Sequence, residues 1–176
     1  MCGDPRRIEA KCGWYGDDMN KSQLERTANR IRKGIVSSIH SARAGHPGGS
    51  LSAADILTAL YFHEMNIDPA NPQAPERDRF VLSKGHAAPA LYATLAERGY
   101  FDAAELNSLR QIGSILQGHP DMKHIPGVDM STGSLGQGIS AAVGMAISAK
   151  LLGKAYRVYA LLGDGELQEG QVWEAS

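Results

Sequence analysis

The chain has 176 residues, of which 43% are hydrophobic and 21% charged, and a formal net charge of −1. This length and composition suit one packed domain or one large piece of a domain, and they argue against wholesale disorder. The near-neutral balance offers no basic field for nucleic acid, no apolar run approaches the ~20 residues of a membrane span, and the charged start is no secretory signal. The expectation is a soluble, cytoplasmic protein with neither a nucleic-acid nor a membrane partner.

Residues 1–20 read as a polar leader, expected to be poorly ordered, ahead of a domain over 21–176. Its two cysteines, Cys2 and Cys12, match no zinc spacing and read as incidental reduced thiols. A first helix is expected to start near Ser22, which has capping-box spacing to Glu25. Leu24, Ala28, Ile31, Ile35 and Ile39 then recur at helical intervals, and Gly45 and Pro47 end the run. A second helix is expected from Ser52 to Met65, with Ile56, Leu57, Leu60 and Tyr61 as a broad apolar face. Three prolines make 66–78 an irregular loop.

Phe80-Val81-Leu82 predicts a short buried strand, with Ser83 to His86 as its exit. A helix over 87–98 stops at Gly99, and Asp102 with Glu105 can cap a short one after it. Residues 113–138 read as loop, 139–152 as an alanine-rich helix and 156–162 as a second strand. The strand ends in Gly163-Asp164-Gly165, and a last helix starts near Gln171. Few, short, apolar strands separated by helices predict an α/β fold, a parallel sheet with helices on both faces. Ligands sit at the carboxyl ends of such strands, where both Ser83–His86 and Gly163–Gly165 fall.

Four pieces could carry chemistry. Asp164 between two glycines could be an oxygen ligand for Mg²⁺ beside a phosphate, or part of a plain turn. His46, His86 and His119 each sit beside glycine or proline, where an imidazole can be presented to a cavity or simply exposed. His40, His63 and His124 read as structural. Residues 131–138, Ser-Thr-Gly-Ser-Leu-Gly-Gln-Gly, form a glycine-rich approach to a helix, which suits a phosphate or planar ligand or a generic junction. They match neither a Walker A loop nor the Rossmann fingerprint. Glu166 reads as a dipole partner for a helix start.

Taken in order, Ala-Gly-His-Pro-Gly-Gly (44–49), Arg-Asp-Arg-Phe-Val-Leu-Ser-Lys-Gly-His-Ala (77–87), Gly-His-Pro (118–120), the 131–138 loop and Gly-Asp-Gly-Glu-Leu-Gln-Glu-Gly (163–170) resemble the thiamine-diphosphate domain of transketolases. The resemblance runs from about residue 22 to the last residue and is nearest to the N-terminal subunits of split bacterial transketolases. It implies a thiamine-diphosphate-binding α/β fold, here incomplete at its C-terminus. The activity implied is transfer of a two-carbon ketol unit from a ketose phosphate to an aldose phosphate, as in the pentose phosphate pathway.

The resemblance also implies roles. Asp164 would coordinate Mg²⁺ or Ca²⁺ on the cofactor diphosphate, with Gly165 beside it. His86 would line the diphosphate and thiazolium, and His46 and His119 the reactive carbon and donor sugar. Gly133 and Leu135 would flank the aminopyrimidine, and Glu169 would join the network between the two sites of a dimer. Ser134 stands where proline is frequent and Lys84 where asparagine is common. The asparagine pair that completes the metal motif and the glutamate that activates the aminopyrimidine are expected outside this chain. A partner subunit carrying the pyrimidine-binding domain is therefore implied, in a homo- or hetero-oligomer, and the chain alone is expected to be inactive. Dihydroxyacetone synthase, a sulfosugar transketolase, deoxyxylulose-phosphate synthase and a non-catalytic fragment stand as alternatives.

Overall fold

The computed structural model describes residues 19–176, so Cys2, Cys12 and nearly all of the polar leader lie outside the described residues. The first helix, α1 (Lys21–Ala42), starts earlier than Ser22. Asn20 Oδ1 accepts the Gln23 N–H at 3.0 Å, and Gln23 Oε1 accepts the Asn20 N–H at 2.8 Å. Asparagine caps as well as serine does, so this reciprocal pair forms the box in place of Ser22 and Glu25. Ala28, Ile31 and Ile35 are buried along the expected stripe, and the helix closes on Arg43 in left-handed conformation.

The expected second helix is broken into α2 (Pro47–Leu51), α3 (Ala54–Ala59) and one wide π-turn, Leu60–Glu64. Pro47 has its φ preset for a first helical turn, so helix starts there. Ser52 is no N-cap; it closes α2, and its hydroxyl donates to the Gly49 carbonyl at 3.1 Å. The altered winding leaves Ile56 48% exposed while Leu57 and Tyr61 are buried, so the predicted apolar face is narrower than expected.

Strands β1 (Arg79–Leu82) and β2 (Val158–Leu161) pair in parallel, with Phe80 opposite Tyr159. Between them lie α4 (Ala88–Arg98), a 3₁₀ turn capped by Asp102 (Ala103–Ser108), a long loop and α5 (Gln137–Leu151). A further 3₁₀ turn, Glu166–Gln168, leads into α6 (Gly170–Ala175). Phe80 and Leu82 belong to the main core with Ile31, Tyr61 and Leu91. Val81 is fully buried outside that cluster, on the side where α5 packs against both strands. Alternation along β1 thus gives the sheet helices on both faces, as predicted. Among the described residues no helix is long and apolar enough to cross a membrane.

Two buried aspartates hold the start of the sheet. Asp78 accepts the N–H of Asn66 at 2.9 Å and of Arg157 at 2.7 Å, tying the residue before β1 to the one before β2. Asp129 accepts a two-pronged contact from the Arg77 guanidinium and the Phe80 N–H at 2.7 Å. Arg77 and Asp129 side chains are only 10% and 5% exposed, so truncating one strands the other charge in a dry site. Asp129→Ala should destabilise the fold by about 3–5 kcal/mol in urea denaturation; a loss under about 0.5 kcal/mol, as at an ordinary surface site, would show that this pair does not hold the sheet.

Candidate functional site

Parallel pairing sends the carboxyl ends of β1 and β2 out at the same end of the sheet, and the candidate site opens there. The β1 exit runs through Ser83 and Lys84 into a 3₁₀ turn, Gly85–Ala87, that carries His86. The glycine-rich loop presses directly on this turn. A Cβ on Gly85 would stand 2.7 Å from the Gly133 nitrogen, so only glycine fits. Thr132 Oγ1 donates to the Leu82 carbonyl at 2.6 Å and keeps the loop there.

The result is a cleft of about 410 Å³ lined by Gly49, Lys84, His86, Leu135, Asp164 and Gly165, with Glu166 at its wall. His46 leans edge-on against His86 with ring centroids 5.2 Å apart. A smaller pocket of about 310 Å³ holds His119 and Gly133. Gly133 has φ +155°, and a side chain there would meet the His119 imidazole at 3.0 Å. The structure therefore brings His86, Leu135, Asp164 and Gly165 into one cleft with His46 against it, and puts His119 and Gly133 next door. Glu169 is exposed and lines neither pocket. His40, His63 and His124 also line neither, and His124 pairs with Asp121 at 2.6 Å.

Two site residues were under-read in the sequence. Lys84 is only 8% exposed, and its ammonium donates to the Gly49 carbonyl at 3.0 Å without any carboxylate ion pair among the described residues. Burial lowers its pKa, against the opposing pull of Asp164 and Glu166. Glu166 is no exposed dipole partner but is 2% exposed. It accepts from Ser83 Oγ at 2.5 Å, Gly136 N at 2.9 Å and Gly163 N at 2.9 Å. Gly163 is a local donor three residues away, but Ser83 and Gly136 lie 83 and 30 residues off, so no local spacing announces those two contacts.

A cation in a cleft lined by glycines suits a phosphate, and a carboxylate at the same cleft suits a hard cation on that phosphate. Among the described residues no group of three or more His, Cys, Asp or Glu could hold a metal by itself. A lone carboxylate still fits Mg²⁺, which takes one or two carboxylates and completes its shell with phosphate oxygens and water. The description "Transketolase, thiamine diphosphate binding domain" matches residues 23–176. The chain belongs to the transketolase family. It is 53% identical over 153 residues to a 6-deoxy-6-sulfo-D-fructose transketolase subunit of Clostridium sp. (strain MSTE9), covering 87% of this chain and 56% of that protein. It is 52% identical over 164 residues to human transketolase, covering 92% of this chain and 26% of that one. The Leishmania mexicana transketolase structure superposes with a TM-score of 0.84 at 36% identity, over 86% of this chain and 24% of its own. The chain thus spans about half the length of the bacterial relative and about a quarter of the human one. It is the N-terminal, thiamine-diphosphate-binding part of the transketolase architecture.

The electrostatics of the transketolase cleft can be read directly. The His86 pKa is lowered, first by burial, then by repulsion from His46 and Lys84. Both causes disfavour the charged imidazole, so His86 holds its proton more weakly than a free histidine does. Histidine NMR titration of the cofactor-free protein should find that low value, and Lys84→Met should move it upward by removing a nearby positive charge. An unmoved His86 titration would remove Lys84 from its surroundings. The matching stability term has a definite sign: the folded state binds the proton more weakly than the unfolded one, so stability is retained above ~6.5 and lost as pH falls below it.

Proposed function

We propose that this chain supplies the diphosphate-holding side of a transketolase site. The observation that carries the reading is one cleft, at the carboxyl ends of parallel strands, holding the buried Lys84 ammonium and the Asp164 carboxylate together. In this reading Asp164 ligates Mg²⁺ or Ca²⁺, and Gly165 and Lys84 meet the cofactor diphosphate. His86 lies along the diphosphate and thiazolium. A neutral His86 can hydrogen-bond there without adding charge, in keeping with its lowered pKa. His46 and His119 face the reacting sugar, where an imidazole can hold an oxygen or move its proton. Leu135 and Gly133 flank the aminopyrimidine, and Leu135 excludes water from it. Glu169 faces a neighbouring subunit.

Thiamine diphosphate, when bound, supplies the carbanion chemistry that breaks and makes the carbon–carbon bond. The overall reaction in this reading moves a two-carbon ketol unit between a ketose phosphate and an aldose phosphate, in cytoplasmic carbohydrate metabolism such as the pentose phosphate pathway. The Clostridium relative is a subunit named for a sulfosugar, which supports a second reading with a sulfonated donor. Its being a subunit also supports a partner polypeptide that carries the pyrimidine-binding domain and the activating acid. Leu151, Leu152 and Trp173, exposed at 81, 67 and 72%, offer such a partner apolar surface to cover.

Calorimetry on the natural assembly should show Mg²⁺-dependent binding of thiamine diphosphate. Asp164→Ala should weaken it by about 10- to 100-fold, the size of a lost charge-assisted contact of about 1.5–3 kcal/mol. Unchanged metal-dependent affinity in that variant would take Asp164 out of the metal site. Assays with fructose 6-phosphate and with its 6-sulfo analogue as donors decide between the two substrate readings.

A further inference from the structure

The Glu166 carboxylate has a position that the family roles above leave unused. Its three donors are each the chain neighbour of a residue lining the cleft. Ser83 precedes Lys84, Gly136 follows Leu135, and Gly163 precedes Asp164. Oε1 takes the Ser83 hydroxyl and the Gly136 N–H, while Oε2 takes the Gly163 N–H. One buried side chain therefore joins the β1 exit, the glycine loop and the β2 exit at a single point.

We propose that Glu166 is the positioning residue for Asp164, holding the Gly163–Asp164 exit in register with the two loops that form the rest of the cleft. The proposal rests on the thiamine-diphosphate reading of that cleft. A carboxylate is acceptor-only, so both of its oxygens can serve N–H and O–H donors at once. A glutamine cannot do this. In one orientation its NH₂ confronts the Gly163 N–H and in the flipped one the Gly136 N–H, donor against donor, while the Ser83 hydroxyl can donate or accept. Either way Glu166→Gln breaks the joint between the strand end that carries Asp164 and the glycine loop that carries Leu135.

The test is a calorimetric cycle on the natural assembly, purified with any subunit that accompanies it. Thiamine diphosphate and Mg²⁺ are titrated into wild type, Glu166→Gln, Asp164→Asn and the double variant, and the cofactor-free melting temperature of each is recorded. Glu166→Gln should weaken Mg²⁺-dependent cofactor binding by about 10- to 100-fold, the usual effect of losing a partner that orients a metal ligand. It should add almost nothing in the Asp164→Asn background, because the residue it positions is already gone. A purely structural role would instead lower the melting temperature and leave the two affinity losses multiplying independently, and that result overturns the proposal. An affinity in Glu166→Gln equal to wild type overturns it too. Should Glu166→Gln not fold, Ser83→Ala removes one donor, keeps the carboxylate and carries the same cycle. Its smaller loss should likewise vanish in the Asp164→Asn background, and multiplying losses again overturn the proposal. Absence of Mg²⁺-dependent binding in wild type would remove the thiamine-diphosphate reading and this proposal with it, whereas the other adverse outcomes remove only the proposal.

Discussion

A carboxylate taken out of water must be met by donors, and Glu166 meets that demand by drawing three loops to one point. Ser83, Gly136 and Gly163 have no reason to be neighbours in the chain. They become neighbours because each can satisfy part of a charge that the fold buries. Everything arranged around the cleft follows from this, since Lys84, Leu135 and Asp164 are each one residue away from a bonded donor. The same logic places a buried ammonium opposite: Lys84 keeps its charge in a nearly dry site with a carbonyl acceptor and two nearby carboxylates to favour it.

The sheet is held at both ends by buried acids. At its start Asp78 bridges to the Arg157 N–H, and Asp129 binds Arg77 and the Phe80 N–H. At its exit Glu166 joins Ser83 to Gly163. Two strands of four residues each make a short ladder, and a parallel pair is slightly less stable per residue than an antiparallel one. Side-chain carboxylates that accept backbone N–H groups extend the pairing beyond the ladder. The division of labour is spatial: Asp78 ties the start of β2 to β1, Asp129 anchors β1 to the long loop, and Glu166 sets what lies at the end where ligands bind in such sheets.

Much of the fold was legible because local periodicity carried it. Ala28, Ile31 and Ile35 marked the buried stripe of α1, Phe80 to Leu82 read as a buried strand, and Gly99 ended α4 where expected. The errors arose where two local solutions compete. Asn20 with Gln23 and Ser22 with Glu25 both have box spacing, and hydrogen bonding chose the first. Pro47 began a helical turn that spacing had assigned to Ser52, and Ile56, expected on the apolar face, is exposed on α3. In the site, glycine loops pointed to His46, His86, Asp164 and Gly165. They could not separate the cleft of Leu135 from the pocket of His119 and Gly133, nor show that Glu169 lines neither.

What the sequence determined by itself was the set of loops and their order: glycine, histidine and aspartate placed where backbone must turn or approach closely, at the ends of two apolar strands. That is enough for the family and for thiamine-diphosphate binding, because those preferences are local. Only the tertiary structure decided how the loops meet. Glu166 read only as a dipole partner for a helix start because burial is not written in any one residue. It follows from the packing of β1, the 131–138 loop and β2 around a common point, and their separations in the chain, over eighty residues between Ser83 and Glu166, hide that point from local reading.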